Sequence, residues 1–371
     1  MGKIINTIQQ PLFSYKWLLN GGNGFPAKNI KYHGAKVFTC FSGGGGSSMG
    51  YRLAGYDVIG FNEIDNKQAI CYKKNLGETP YQYIEDIRLL RKKKKLPDIL
   101  FDLDILDGSP PCTTFSMCGE REKNWGKKKK FREGQEEQTL DDLSFEFLLL
   151  VKRLNPKIIL IENVTGILIG NAVQYSAKIK LILKEMGYLC LHKILNGADM
   201  GLPQARRRVF FIAIRKDLVK NIKTYGLIEK IPRLDLNFNC KHIPFSEIDE
   251  GENVDKKFYL NKETITYKRW LECKEGDSFA KRNKNIGFTH IKVNSKKPLP
   301  TIVGGNNNYH YSIPRFLSDN ELILGSSFPF DYNFCSQDIR YIAGMSVPPI
   351  MISNIAWKIK QEWLDKIKEN K

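Results

Sequence analysis

Between residues 35 and 218, short apolar runs alternate with stretches of helical spacing, and this rhythm constrains the fold more than any other feature of the chain. AKVFTCF (35–41) reads as a buried strand and the SSMGYRLAG after it as a short helix. DVIGFNEID (57–65) is a second strand, followed by the helical NKQAICYKKNL. Another strand lies within ILFDLDILDG (99–108), and LDDLSFEFLLLVKRL (140–154) returns to helical spacing. KIILIEN (157–163) is a strand and AKIKLILKEMG (177–187) a helix ending at Gly187. YLCLHKIL and RVFFIAIR complete the series. Strands alternating with helices predict an α/β fold, a parallel sheet covered on both faces. In such sheets function gathers at the carboxyl ends of the strands.

From about residue 219 the rhythm fails. The segment to about 310 is polar and rich in Lys and Asn, with Phe258, Tyr259, Trp270, Phe279 and Phe288 scattered through it. A smaller and more irregular domain is expected there. The expected organisation is an N-terminal extension (1–34), a main domain (35–218), a small domain (219–315) and a closing segment (316–371) whose helix returns to the main domain. Lys plus Arg exceed Asp plus Glu by 58 − 40 = 18 charges, which favours a polyanionic partner, nucleic acid ahead of an anionic membrane. Two runs concentrate the charge, RKKKK at 91–95 and KKKKFR at 127–132. No run approaches the ~18 apolar residues of a membrane span, and the start of the chain lacks an apolar signal core. Asn6 stands where a myristoylation pattern wants Ser or Thr. A cytoplasmic protein is expected. The eight cysteines form no CxxC pair and the five histidines have no metal-ligand spacing, so free thiols and no metal are expected.

Against that background DGSPPCTTFS (107–116) stands out. Proline fixes φ and restricts the residue before it, so Pro110 and Pro111 would hold Cys112 in one orientation. A thiol that merely fills a core needs no such mounting. FSGGGGSSMG (41–50) sits at a strand-to-helix turn, where consecutive glycines permit a tight turn and close approach of a ligand. No Lys-Ser/Thr comes after it, which argues against a phosphate-cradling P-loop. About 20 residues on, Glu63 ends the second strand, where an acid characteristically takes ribose hydroxyls. Asp86 ends the next segment and could accept from an adenine amino group. Glu162 comes after the apolar IILI, so its carboxyl lies where the strand leaves the core, and partial burial would raise its pKa. In PQARRRVF (203–210), Arg206 and Arg208 alternate at the start of a strand and would share one face. Two guanidiniums there suit phosphate or a carbonyl oxygen.

Taken in order, these residues resemble the cytosine-5 DNA methyltransferase family. The FxGxGG block is met by Phe41, Gly43, Gly45 and Gly46, and Glu63-Ile64 and Asp86-Ile87 match the ribose-side and adenine-side pairs. Pro111-Cys112 matches the catalytic proline-cysteine, Glu162-Asn163-Val164 the ENV motif, and Gln204, Arg206 and Arg208 the QxRxR motif. KPLPTI (297–302) looks like the RPxPT block and GMSVPP (344–349) the closing GNSVPP. The likeness runs from about 36 to 360. Two positions depart from it. Thr39 stands where an acid commonly precedes the first block, and Met345 stands where the closing motif has Asn.

The resemblance implies a Rossmann-like methyltransferase sheet with a smaller target-recognition domain, and S-adenosylmethionine as cofactor. Phe41, Gly43, Gly45, Gly46, Glu63, Ile64, Asp86, Ile87, Pro111, Leu143, Ser346 and Val347 would bind that cofactor. Cys112 would be the nucleophile toward C6 of a flipped-out cytosine, Glu162 would hold N3 and the exocyclic amine, and Arg206 and Arg208 the base carbonyl or adjacent phosphate. Ser116, Gln204 and Lys127, Lys128, Lys129 and Lys130 would contact double-stranded DNA, the lysines from a loop that closes over it. The implied setting is a bacterial or phage modification enzyme, expected to be a monomer, with any cognate restriction endonuclease acting separately. Two alternatives stay open: the tRNA-methylating branch of the family, whose Cys-Phe-Thr block is not found here, and a non-catalytic DNA-binding protein on the same fold.

Overall fold

The computed structural model describes residues 8–20, 24–111, 143–226, 230–281, 290–304 and 308–368, and the backbone of 128–129 and 138–139. The chain divides into two compact units. The larger holds Phe25–Leu195, Arg207–Leu236 and Ile352–Lys371, and the other Met1–Gly24, Asn196–Arg206 and Asn237–Met351. These do not follow the linear boundaries expected at 219 and 316. The short segment 196–206 joins the second unit although strands flank it on both sides.

The larger unit is built on a seven-stranded sheet. Its strands are β1 (Lys36–Cys40), β2 (Asp57–Asn62), β3 (Tyr81–Tyr83), β4 (Ile105–Gly108), β5 (Ile158–Val164), β6 (Tyr188–Asn196) and β7 (Arg207–Arg215), in spatial order β3-β2-β1-β4-β5-β7-β6. β1 pairs in parallel with both β2 and β4, and β4 with β5. Between β1 and β4 the strand order reverses, the switch point at which ligands bind in doubly wound sheets. One strand departs from the expected parallel arrangement: β7 runs antiparallel to β5. A parallel return needs a crossover of a dozen or more residues, and only 197–206 separate β6 from β7.

Helices α1 (Gly46–Leu53), α2 (Asn66–Leu76), α3 (Ile87–Lys92), α4 (Leu143–Leu154) and α5 (Val173–Glu185) come after successive strands. Their starts are written locally: Asp65 caps α2 by accepting from the Lys67 and Gln68 amides, and Asp86 caps α3 through the Arg88 amide. Phe38, Leu106, Ile159, Ile161 and Phe211 of the sheet pack with Phe147 and Val151 of α4 and Leu183 of α5 in one buried cluster. Residues inward on both faces explain why the strands read as continuous apolar runs.

Among its described residues the second unit has two-residue strand pairings, including Leu299–Pro300 beside Gln204–Ala205 in parallel. Its apolar core gathers Phe245, Ile248, Val293, Leu299, Ile302, Leu317 and Leu322. Next to it lies a buried polar knot. Arg315 is fully buried and donates to both oxygens of Glu321, at 2.7 and 2.9 Å, and His310 meets Asp249 at 2.8 Å. The Arg315–Glu321 charge pair tolerates burial only because its hydrogen bonds are met.

Candidate active site

The glycine turn after β1 is a strained and tightly tied loop. Phe41 has φ 56°, rare for a residue with a bulky side chain, and Gly43 and Gly45 have φ 52° and 89°. The two glycines serve different ends. A Cβ on Gly45 would lie 2.6 Å from a Leu76 methyl, whereas a Cβ on Gly43 would meet nothing within 4 Å. Gly45 lets the turn pack, and Gly43 leaves open space beside it. The Gly43 amide donates to Glu63 Oε2 at 2.7 Å, and the Asp65 amide to Glu63 Oε1 at 2.8 Å. Burial pushes the Glu63 carboxyl above its ordinary value, and the Asp65 and Gly43 amides act against that. The carboxyl keeps acceptor capacity for a ligand hydroxyl. Ile64, directly after it, is an exposed apolar side chain, and Ile87 and Leu143 are buried. Asp86 accepts from the Arg88 amide at 2.7 Å and its guanidinium at 2.9 Å. An open glycine edge, a ribose-ready carboxyl and an exposed apolar rim fit a nucleoside cofactor.

Thr39 is completely buried, and its hydroxyl joins those of Ser42 at 2.8 Å and Ser48 at 3.0 Å. At this position, where Thr39 departs from the acid of the resembled pattern, three hydroxyls satisfy one another.

At the carboxyl ends of β4 and β5 the chain brings together a carboxyl and a guanidinium. Arg208 opposes Val164 across the antiparallel pair, which puts it diagonally across from Glu162, within reach of a long side chain. Arg208 Nε lies 2.9 Å from Glu162 Oε1, with both side chains largely buried. Asn163 accepts from the Val164 amide at 2.8 Å and donates to the Pro110 carbonyl at 3.5 Å. The Glu162 strand is thereby tied to the segment that leads through Pro111 into Cys112. Cys112, Ser116, Lys127 and Lys130 lie outside the described residues. Lys128–Lys129 pairs in antiparallel fashion with Gln138–Thr139.

Two expectations need correction. Arg206 and Arg208 do not share a face. The Arg206 amide donates to the Gln204 carbonyl at 2.9 Å, and this kink between Gln204–Ala205 and β7 breaks the alternation on which that expectation rested. Arg206 belongs to the second unit, is buried, and donates to the carbonyls of Ile302, Gly344 and Ser346, each at 2.9 Å. Gln204 is likewise spent: its amide donates to the Gly325 carbonyl at 2.8 Å and accepts from the Ile302 amide at 3.1 Å. With no exposed surface it has no side-chain atom to offer DNA. Both residues hold the second unit together. Ser346 and Val347 are buried in that unit, and Met345 is half exposed. Asn163 and Asp107 were not singled out from sequence as site residues. Asn163 stands inside ENV and Asp107 opens DGSPPC, so the signal was adjacency to a motif.

Residues 35–361 match the family of C-5 cytosine-specific DNA methylases, which covers most of the chain. The chain belongs to that family. It is a cytosine-5 DNA methyltransferase, with S-adenosylmethionine as its cofactor. The methyltransferase is similar to the type II methyltransferase M.FnuDI of Fusobacterium nucleatum, 28% identical over 362 residues, covering 91% of this chain and 97% of the other. It is also similar to the type II methyltransferase M.NgoFVII of Neisseria gonorrhoeae, 26% identical over 356 residues, covering 87% and 86%. Among solved structures, a Spodoptera frugiperda DNMT2 variant superposes with a TM-score of 0.61 at 18% identity, covering 90% of this chain and 99% of that one. The S. pombe Dnmt2 methyltransferase gives 0.59 at 15% identity, covering 88% and 99%. At such identities the structures bear on the fold of the methyltransferase alone. No helix among the described residues is long and apolar enough to cross a membrane.

Proposed function

We propose that this methyltransferase modifies cytosine flipped out of a specific duplex DNA sequence, through a covalent adduct with Cys112. The observation that carries the reading is the Glu162–Arg208 pair at 2.9 Å, tied through Asn163 to the strand end that leads into Cys112. The Cys112 thiolate adds to C6 of the base, and the electron pair of the C5–C6 bond moves into the ring toward N3 and the carbonyl. Glu162, carrying a proton when the base is bound, donates to N3, where that charge develops, and accepts from the exocyclic amine; preorganised partners there lower the barrier. Arg208 fixes the Glu162 carboxyl and donates toward the base carbonyl. S-adenosylmethionine supplies the electrophilic methyl group when bound. Glu63 and the Gly43 edge would hold its ribose, with Ile64 against the adenine face and Asp86 near its amine. A base then takes the C5 proton, and the electron pair left behind re-forms the C5–C6 double bond as the Cys112 thiolate departs.

The basic run at 127–130 grips phosphate, and the second unit reads sequence. The setting is that of the type II methyltransferases it is similar to: a monomeric modification enzyme in the cytoplasm, with any cognate endonuclease a separate protein. The experiment is a mechanism-based trap. Duplex DNA carrying 5-fluorocytosine in the methylated sequence should form a denaturation-resistant adduct with wild type and none with Cys112→Ala. An adduct in the alanine variant would assign the nucleophile elsewhere.

A further inference from the structure

Asp107, near the carboxyl end of β4, is 1% exposed, and the methyl-transfer steps make no use of it. Its backbone is in register with Thr39 of β1 on one side and Leu160 of β5 on the other. Its Oδ1 accepts from the Tyr51 hydroxyl at 3.2 Å, and the Ser47 hydroxyl is a second partner. Ser47 and Tyr51 are four apart on α1 and so stand on one face of that helix. α1 starts at Gly46, directly after the glycine turn. One carboxyl therefore fastens the helix that carries the turn to the strand that runs, through Pro110 and Pro111, into Cys112.

We propose that Asp107 is a positioning residue for cofactor binding, whose carboxyl pins α1, and with it the glycine turn, to β4. This rests on the assignment of the glycine turn and Glu63 as the cofactor cradle. The neutral acid suits the role, since it can accept from Tyr51 and still has one O–H to give. The titratable groups around it are Tyr51 on α1, Cys40 on β1 and Glu162 on β5, with the hydroxyls of Ser47 and Thr39 beside them. Burial pushes the Asp107 carboxyl up to about 8; the Tyr51 and Ser47 hydrogen bonds oppose the rise and the charge of Glu162 adds to it. Above that pH a second buried anion would stand one strand from Glu162, and α1 would have to yield or admit water. The competent fraction then falls, and the apparent dissociation constant rises by up to about tenfold per pH unit.

The test is calorimetric titration of the full-length protein with S-adenosylhomocysteine between pH 6.5 and 9.5. The ligand's own amine titrates alike with every protein, so the difference between variants is the readout. Wild type should weaken by up to about tenfold more than Asp107→Asn by pH 9, because asparagine has no such proton to lose. Parallel curves for the two would overturn the proposal. Wild-type affinity that stays flat through pH 9.5 would overturn it even if the variant failed to fold. Glu63→Ala should weaken binding at every pH. Unaltered binding there would remove the cradle assignment itself, separately from whatever Asp107→Asn does.

Discussion

Replacing Arg206 with alanine tests the division between binding and scaffolding most sharply within the QxRxR motif. The guanidinium donates to three buried carbonyls at 2.9 Å each, those of Ile302, Gly344 and Ser346. Gly344 lies in the last turn of the helix Ile339–Met345 and Ser346 comes directly after it, so their carbonyls are ones a helix leaves unpaired. A cation there also meets the negative end of the helix dipole. Each buried acceptor left unsatisfied costs about 1–3 kcal/mol, and the losses are not strictly additive. Arg206→Ala should therefore cost about 3–5 kcal/mol, a large share of the ~5–15 kcal/mol that holds a domain folded. Urea unfolding followed by tryptophan fluorescence reads it directly, because Trp17 and Trp270 are buried in the same unit. The midpoint should fall by roughly 1–2 M. Arg206→Lys should recover part of the loss, since an ammonium cannot reach all three carbonyls. An Arg206→Ala midpoint at the wild-type value, with methyl transfer abolished, would refute the reasoning and return the guanidinium to the substrate.

Glu162→Gln and Arg208→Ala should each lower methyl incorporation into DNA by about 10²-fold or more, with the fold retained by circular dichroism; near-normal rates would remove the pair from the reaction. Replacing Lys127–Lys130 with glutamine should flatten the slope of log affinity against log salt by up to about 3–4. The methylated sequence should not change, because phosphate contacts read no base directly. Asp107 also predicts a pH dependence of stability that needs no cofactor. Its folded value of about 8 lies above the roughly 3.9 of an unfolded chain, so the native state holds the extra proton. The stability it contributes is present below the unfolded value and is lost as pH rises through about 8. Melting temperature between pH 6 and 9 should fall further for wild type than for Asp107→Asn, and equal slopes would contradict this.

Most of the sheet could be read from sequence because its strands are covered on both faces, and such strands are written as unbroken apolar runs. IILIENV and RRVFFIAIR give both their ends and their burial away. Their order in space is less legible. Alternation fixes the order of elements along the chain only, and does not place β7 between β5 and β6. The second unit hid its organisation for a different reason. It is held by side chain-to-backbone bonds between distant segments, such as Gln204 to Gly325 and Arg315 to Gly251, and such bonds leave no periodicity. At the site, residue types and spacing located Glu63 and Glu162 at strand ends. They could not say which arginine of RRR meets Glu162, because that turns on a one-residue kink at Arg206. Nor could they find Asp107, whose partners Tyr51 and Ser47 are more than fifty residues away.

Methylation of cytosine at C5 in DNA, dependent on Cys112, can be read base by base by bisulfite sequencing. DNA from cells expressing the wild-type chain should show protected cytosines confined to one short sequence context. DNA from cells expressing Cys112→Ala at equal level should show none. Wild-type DNA without protected cytosines, or protection that survives in Cys112→Ala, would contradict the assignment of the reaction to this thiol.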